Sequence, residues 1–156
     1  MIHFKGFYKI LSIVDGDGMV VSNLNTSELI EIRLYGIDAP EVKKCRKLLL
    51  DEKVTRKPGS FLIKLGLLSK NYLSSIAPIN TTVSIYQETK NKIDMYGRTL
   101  AYAYLPDGIC INEQMIKEGY AKPLNEYYCN QLGSYQYLSN FARQGKKGLY
   151  NITQEF

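Results

Sequence analysis

Apolar and polar residues alternate along the first quarter of the chain with a period of two, which is typical of half-buried β-strands. The alternation is clearest where Ile30, Ile32 and Leu34 are interleaved with charged or polar residues. Turn-forming residues, among them Asp-Gly-Asp-Gly at 15–18, separate the apolar runs. The pattern therefore predicts a meander of three strands, over 9–14, 19–24 and 28–37.

A helical period begins after the sequence Pro-Gly-Ser at 58–60. Ser60 is the expected N-cap of this helix, and the helix is expected to end before Pro78. Its apolar face has the spacing of an amphipathic helix and consists of Phe61, Leu65, Leu68, Tyr72 and Ile76.

Two further strands and two further helices complete the predicted order. The strands are expected at 81–87 and 99–105, and the helices at 111–118 and 131–146. Five short strands with one helix between the third and the fourth are the layout of an OB-fold barrel. We therefore predict an α+β protein, mainly a five-stranded OB-fold β-barrel, that forms one domain over residues 1–156.

Positive charge is concentrated in one segment of the chain. The whole chain has 20 Lys+Arg against 15 Asp+Glu, which gives a net charge of +5. Residues 42–60 contain seven Lys or Arg and two acidic residues, so this segment alone carries +5. We expect an exposed basic loop with room for a short helix at 46–53. Such a loop either follows the phosphate backbone of a nucleic acid, with Lys43 and Lys44 as contacts, or is simply solvated.

The scarcity of histidine and cysteine excludes several classes of site. His3 is the only histidine, which rules out zinc centres and catalytic mechanisms that require two. Cys45, Cys110 and Cys129 form no CxxC pair, which argues against a zinc knuckle or a redox pair. Their odd number favours free thiols in a reducing compartment, with one disulfide and one free thiol as the alternative.

Membrane and export signals are missing from the sequence as it stands. No apolar run approaches the ~18 residues of a membrane-spanning helix. The first residues, MIHFKGFYKILSIV, have no clear signal-peptide pattern. We therefore expect no membrane partner and favour an intracellular location, with secretion as the alternative if the N-terminus has been trimmed.

Candidate chemistry lies in three short polar stretches at turns and strand ends. Asp17 and Asp38 provide carboxylates of the kind that a hard divalent cation binds. Arg33 and Arg98 can bind phosphate through paired donors, and Glu41 can orient or deprotonate a water molecule. Each residue also has a purely structural interpretation, as a turn residue, a solvated arginine or a partner in an ion pair.

The motifs DGDG at 15–18, RLYGIDAPE at 33–41 and DMYGR at 94–98 resemble those of the thermonuclease family, the staphylococcal-nuclease-like domains. So do GYAK at 119–122 and ARQGKKGLY at 142–150. The resemblance runs in the same order along most of the chain. It implies a five-stranded OB barrel with three helices, and calcium-dependent cleavage of phosphodiester bonds in DNA and RNA.

The same resemblance implies roles for individual residues. Asp17 and Asp38 match the calcium-binding carboxylates, and Ala39 matches a position whose backbone carbonyl binds the metal. Arg33 and Arg98 match the two arginines that bind phosphate. These five residues form the metal and phosphate part of the expected site.

Glu41 matches the general base of the family, and Tyr96 matches an aromatic position beside the bound nucleotide. Tyr127 follows GYAK, in a region where the family places tyrosines near the base, and packing within the protein is its alternative. The expected partners are DNA and RNA, with single strands favoured, and the protein is expected to be a monomer.

Three positions depart from the family pattern. Gly18 stands where Thr is usual, which removes a side-chain hydrogen bond near the metal, and Met95 stands where Lys is often found, which removes a phosphate contact. Tyr150 replaces a frequent Trp, which is a change of packing. The expected catalytic residues are all present despite these departures.

Two other functions compete with the nuclease. An OB-fold can bind nucleic acid without cleaving it, but Asp17 and Asp38 would repel phosphate unless a cation lies between them. A magnesium nuclease of the PD-(D/E)xK kind could use Glu41 and Lys43, but the order of the flanking strands does not fit. The sequence therefore favours the metal-dependent nuclease over both.

Overall fold

The predicted meander forms one side of a closed barrel. In this computed structural model, which describes residues 1–156, five strands close the barrel. They are β1 (Ile2–Asp15), β2 (Gly18–Asn23), β3 (Leu29–Leu34), β5 (Thr82–Glu88) and β6 (Thr99–Tyr104). A separate two-stranded sheet pairs β4 (Ile37–Asp38) with β7 (Lys122–Pro123).

The barrel closes because the long strand β1 pairs with β2 on one side and with β5 on the other. The order around the barrel is β1-β2-β3-β6-β5, and every pair is antiparallel except β3 with β6. The α+β class and the five-stranded OB-type barrel predicted from the sequence are therefore confirmed.

Four α-helices pack around this barrel. They are α1 (Arg46–Thr55), α2 (Gly59–Ile76), α3 (Ile111–Lys117) and α4 (Leu132–Gln144), followed by a 3-10 helix (Gly148–Asn151). Three of the α-helices are those that the family resemblance implies, and α1 adds a fourth within the basic segment. None of the helices combines the length and the apolar character that crossing a membrane requires.

Strand β1 begins earlier than the apolar pattern indicated, at Ile2 rather than at residue 9. Its pairing with β5 shifts register between Phe4 and Gly6, where Gly6 has a φ of +154°. Phe4 and Phe7 are both about half exposed, at 50% and 54%. The period-two pattern does not identify this end of the strand because its apolar side chains face outward across a bulge.

Two hydrophobic clusters support the fold. The larger fills the barrel with the inward-facing residues of all five strands and receives side chains from α2 and α3. The smaller cluster joins α1, α2 and the C-terminal segment, and consists of Leu48, Leu62, Leu65, Ala142, Leu149, Tyr150 and Phe156. Tyr150 is therefore a packing residue, as its position in the family resemblance implied.

The basic segment is helical over ten residues, where the sequence analysis expected a loop with a short helix. Leu48 anchors α1 in the smaller cluster, and Arg56 ends the helix in the left-handed conformation with a φ of +57°. The expected N-cap of α2 was wrong. Pro58 occupies the cap position, α2 begins at Gly59, and Ser60 lies within the first turn.

All three cysteines are free thiols, in agreement with the interpretation of their odd number. Cys129 is buried, and its Sγ lies 3.1 Å from the hydroxyl of Tyr102. That hydroxyl donates a hydrogen bond of 2.8 Å to Glu88, which also accepts one of 2.7 Å from the backbone N–H of Asn130. These contacts attach the segment before α4 to strands β5 and β6.

Small residues on α2 allow two loops to approach the helix closely. A Cβ atom on Gly66 would overlap the carbonyl oxygen of Glu41 and would lie 2.7 Å from that of Pro40. A Cβ atom on Gly16 would overlap the Ser69 Oγ atom, which donates a hydrogen bond of 2.6 Å to the Tyr120 carbonyl. Close contact with α2 therefore fixes the positions of the β1–β2 turn and of the chain after β4.

We expect Gly66→Ala to destabilise the protein by roughly 1–3 kcal/mol, because the new methyl group must displace backbone atoms. This loss outweighs the gain of about 1 kcal/mol in helix propensity. Gly133→Ala in α4 is the matched control, because nothing lies within 4 Å of its added Cβ atom. Urea denaturation measures both free energies of unfolding, and an equal gain from both substitutions would contradict the proposed contact.

Candidate active site

A buried arginine joins two buried aspartates at one end of the barrel. Asp17 lies in the turn between β1 and β2, Arg33 lies on β3, and Asp38 ends β4. Nη1 of Arg33 forms an ion pair with Oδ1 of Asp17, and Nη2 lies 3.3 Å from Oδ1 of Asp38. The three residues therefore form one charged cluster built from three separate segments of the chain.

Backbone hydrogen bonds set the positions of these groups. Strand pairing places Gly18 opposite Arg33, and the Leu34 N–H donates to the Asp17 carbonyl at 2.9 Å. The Ala39 N–H donates to Oδ2 of Asp17 at 2.7 Å, which fixes the carboxylate from the other side. Ala39 thus lies directly beside Asp17, and the metal-binding role of its carbonyl stays a prediction.

The cluster is almost completely shielded from solvent, with Asp17, Arg33 and Asp38 only 1%, 8% and 4% exposed. Burial raises the pKa of Asp17 to about 7, although the Arg33 guanidinium opposes this shift. Burial by itself lowers the pKa of Arg33, but the charges of Asp17 and Asp38 outweigh it and raise that pKa. Arg33 therefore stays a cation in this cluster.

Lys47 brings Glu41 into the same network. Its Nζ atom lies 3.1 Å from Oδ2 of Asp38, 3.7 Å from Oε1 of Glu41 and 2.8 Å from Oδ2 of Asp51. Burial raises the pKa of Glu41, and the nearby Lys47 opposes the rise. Burial would lower the pKa of Lys47, but Asp38 and Asp51 reverse this and raise it.

The sequence analysis did not identify the role of Lys47 and Asp51. It counted both as members of a basic segment, without connecting them to the acidic residues of the site. The one local signal was their separation by four residues, which allows an ion pair on a helix. The contact of Lys47 with Asp38 and Glu41 depends on the packing of α1 against α2, which the sequence pattern does not show.

Arg98 belongs to a second group, which does not contact the Arg33 cluster. Its Nε atom lies 2.7 Å from Oδ2 of Asp94, and its guanidinium lies over the ring of Tyr96, 5.4 Å from the ring centroid. The other Asp94 oxygen accepts hydrogen bonds of 2.9 Å from the N–H groups of Tyr96 and Arg98. Asp94 therefore organises the loop that carries both residues.

The parallel pairing of β3 with β6 relates the two groups. It places Arg33 opposite Leu100, and Arg98 lies just before the start of β6. Arg33 therefore lies on β3, and Arg98 lies in the loop that leads into the neighbouring strand β6. The structure leaves Tyr96 exposed, at 75%.

The side chain of Tyr127 is partly buried. Its hydroxyl accepts a hydrogen bond of 3.2 Å from the Gly36 N–H, and its ring meets Tyr35 edge-on at 6.3 Å. Burial raises the pKa of Tyr127. By contrast, Lys43 and Lys44 are exposed and form no ion pair, so both are free to contact an anionic partner.

The donor chemistry of the cluster fits a hard divalent cation. The carboxylates of Asp17 and Asp38 meet the same guanidinium, and the buried Oδ1 of Asp17 accepts no hydrogen bond beyond this ion pair. No three acidic, thiol or imidazole groups converge as a complete metal centre, and Arg33 and Lys47 form ion pairs with the carboxylate of Asp38. The residues that would hold the cation are Asp17, Asp38 and the carbonyl of Ala39.

The chain is similar in sequence to several known proteins. The chain is 29% identical to an uncharacterized protein of Methanocaldococcus jannaschii, over 96% of this chain and 72% of that protein. It is 29% identical to an uncharacterized endonuclease of Escherichia coli, over 92% of this chain and 76% of the relative. It is 30% identical to a thermonuclease of Staphylococcus intermedius, over 78% of this chain and 64% of the relative.

The family described as staphylococcal nuclease homologue matches residues 31–152. The match includes Arg33, Asp38, Glu41 and Arg98, whereas Asp17 precedes it. The match begins within β3 and covers β5, β6 and all four α-helices, whereas β1 and β2 precede it. It confirms the resemblance seen in the motifs, and the chain therefore belongs to the staphylococcal nuclease homologue family.

Proposed function

We propose that the protein is a calcium-dependent nuclease that hydrolyses phosphodiester bonds of DNA and RNA. The observation that carries this proposal is the buried cluster of Asp17, Arg33 and Asp38, with Glu41 at its edge. In a chain of this family, and in relatives named as endonuclease and thermonuclease, such a cluster favours phosphodiester hydrolysis.

The two arginines have the chemistry needed to bind a phosphate. Each is oriented by carboxylates, Arg33 by Asp17 and Asp38 and Arg98 by Asp94, so their side chains are ordered before the substrate arrives. Planar guanidinium groups bind two phosphate oxygens at once. They also stabilise the extra negative charge that develops as a nucleophile adds to phosphorus.

Glu41 would orient and deprotonate the attacking water. Burial raises its pKa, while Lys47 opposes the rise. A carboxylate with a raised pKa is a stronger base for accepting a proton from water. The water would attack phosphorus in line, and the leaving oxygen would take its proton from water or from an arginine. Calcium, when bound by Asp17, Asp38 and Ala39, supplies Lewis-acid polarisation of the phosphate.

Side chains outside the buried cluster would contact the nucleic acid. Tyr96 and Tyr127 can stack on bases that are splayed out of a helix, which favours single-stranded substrates. Lys43 and Lys44 are exposed and carry positive charge toward the phosphate backbone. We further propose that the protein acts as a monomer.

The first prediction separates catalysis from folding at the two arginines. Arg98→Ala should lower the cleavage rate on the order of 10²–10³-fold, because a charged donor to the developing oxyanion is lost. Its single, partly exposed ion pair with Asp94 should contribute less than about 1 kcal/mol to stability. Cleavage kinetics and urea denaturation measure the two effects, with Lys90→Ala as an exposed control.

Arg33 requires a different substitution, because its removal leaves the buried carboxylate of Asp17 without a cationic partner and that of Asp38 with Lys47 alone. Arg33→Ala should destabilise the protein by roughly 3–5 kcal/mol. Arg33→Lys keeps the charge and should retain much more of the stability, while it loses the paired donors and most of the cleavage rate. Parallel losses of stability and rate in both Arg33→Lys and Arg98→Ala would make the arginines structural residues.

The second prediction tests the reaction itself. Single-stranded DNA and RNA are incubated with the wild type and Glu41→Gln, in calcium, in magnesium alone and in a calcium chelator. We expect cleavage only in calcium, and a rate lowered roughly 10²–10⁴-fold by Glu41→Gln, because the proton acceptor is lost. Glu31→Gln, at an exposed position on β3, is the control and should cleave normally. Binding without cleavage in every metal would instead support a nucleic-acid-binding module.

The third prediction concerns the exposed lysines. In the Glu41→Gln background, Lys43→Gln with Lys44→Gln should reduce the slope of log Kd against log salt for single-stranded DNA by about 1.4, since each phosphate contact contributes about 0.7. Replacing Lys117 and Lys146 changes the net charge equally and should leave the slope unchanged. An equal change in both double variants would show that only net charge matters.

A further inference from the structure

Lys47 occupies a position that the family resemblance does not assign. Its ammonium group contacts Asp38 on the oxygen that Arg33 leaves free, so both oxygens of this carboxylate have a cationic partner. The same ammonium group reaches Glu41 at 3.7 Å. Lys47 therefore contacts one proposed metal ligand and the proposed general base at the same time.

The position of Lys47 is built into the packing of the molecule. Leu48, the next residue along α1, is 2% exposed and packs with Leu62 and Leu65 of α2. This anchor fixes the turn of the helix from which Lys47 extends. The Lys47 side chain is 34% exposed, so its end can move without disturbing the core.

Asp51 offers the ammonium group a second partner. It lies one helical turn further along α1, and its Oδ2 atom is the nearest carboxylate oxygen to Nζ, at 2.8 Å compared with 3.1 Å for Asp38. Lys47 can therefore leave Asp38 and Glu41 while it stays paired with Asp51. The flexible stem of lysine permits such a movement.

A divalent cation at Asp38 would meet this ammonium group at close range. Calcium lies 2.3–2.6 Å from its oxygen ligands, and Lys47 already stands within hydrogen-bonding distance of the same carboxylate. Two cations on one carboxylate repel each other strongly in a site with little solvent. Binding of the metal is therefore linked to displacement of Lys47.

We propose that Lys47 is a tethered competitor of the divalent cation, and that Asp51 is the position to which it withdraws when the metal binds. Lys47 thereby sets the calcium concentration at which the site fills. This inference rests on the proposed function, in which Asp17 and Asp38 hold calcium.

The test compares calcium affinities of the full-length chain and its variants by isothermal titration calorimetry. Terbium luminescence sensitised by tyrosine gives a second measurement, because the chain has 13 Tyr and no Trp. Lys47→Met should lower the Kd for calcium about tenfold, since the competing cation is removed. Lys53→Met is the matched control, because it removes the same charge from an exposed position on the same helix. Its Kd should change less than about twofold.

Asp51→Asn distinguishes withdrawal of the ammonium group from a general effect of charge. Alone it should raise the Kd for calcium roughly threefold or more, because Lys47 loses its alternative partner. In the Lys47→Met background the same substitution should have little effect. An equal effect of Asp51→Asn in both backgrounds would overturn the proposed withdrawal.

The outcomes separate this inference from the proposed function. If the wild type binds calcium and neither Lys47→Met nor Lys47→Gln changes the affinity, Lys47 is not a competitor and the proposed function stands. If no variant binds calcium, the metal requirement of the proposed function fails, and the inference fails with it. Circular dichroism and urea denaturation confirm that each variant is folded before its affinity is measured.

Discussion

The ion pairs of Arg33 with Asp17 and Asp38 are the constraint around which this end of the barrel is arranged. A buried charge is strongly unfavourable unless an opposite charge and hydrogen bonds compensate it. Each of the three side chains comes from a different segment, so compensation is complete only when the β1–β2 turn, β3 and β4 are in their final positions. The charges to which we assign the phosphate chemistry are therefore also a condition of folding at this end of the barrel.

Close packing on α2 keeps this charged cluster in place. Gly66 and Ser69 leave no space between the helix and the loops that carry Glu41 and Gly16. A glycine inside a helix normally costs about 0.5–1 kcal/mol relative to alanine. At Gly66 the absence of a Cβ atom allows the backbone of Glu41 to pack directly against the helix, at the expense of this helix propensity. The catalytic geometry that we propose thus depends on a residue with no side chain.

Acidic side chains outnumber basic ones in the extended network. Asp17, Asp38 and Glu41 face Arg33 and Lys47, and Asp51 adds a further carboxylate behind Lys47. Such a surplus of negative charge attracts a divalent cation, while the two internal cations keep the carboxylates compensated without one. Lys47 and Asp51 lie on α1, outside the barrel, so their ion pairs link this helix to the proposed chemistry.

Local pattern was sufficient to predict the five strands of the barrel, because alternation is a property of neighbouring residues. Motif spacing also singled out Asp17, Arg33, Asp38 and Glu41, whose roles in the site stay predictions. Local pattern failed for the start of β1 and for Ser60, where a bulge and a proline cap override the simple pattern. Local pattern made no prediction about the contacts of the Lys47 side chain. Its charge is visible in the sequence, but its direction, toward Asp38 instead of solvent, depends on residues that meet only when α1 packs against α2, because electrostatic pairing acts through space and not along the chain.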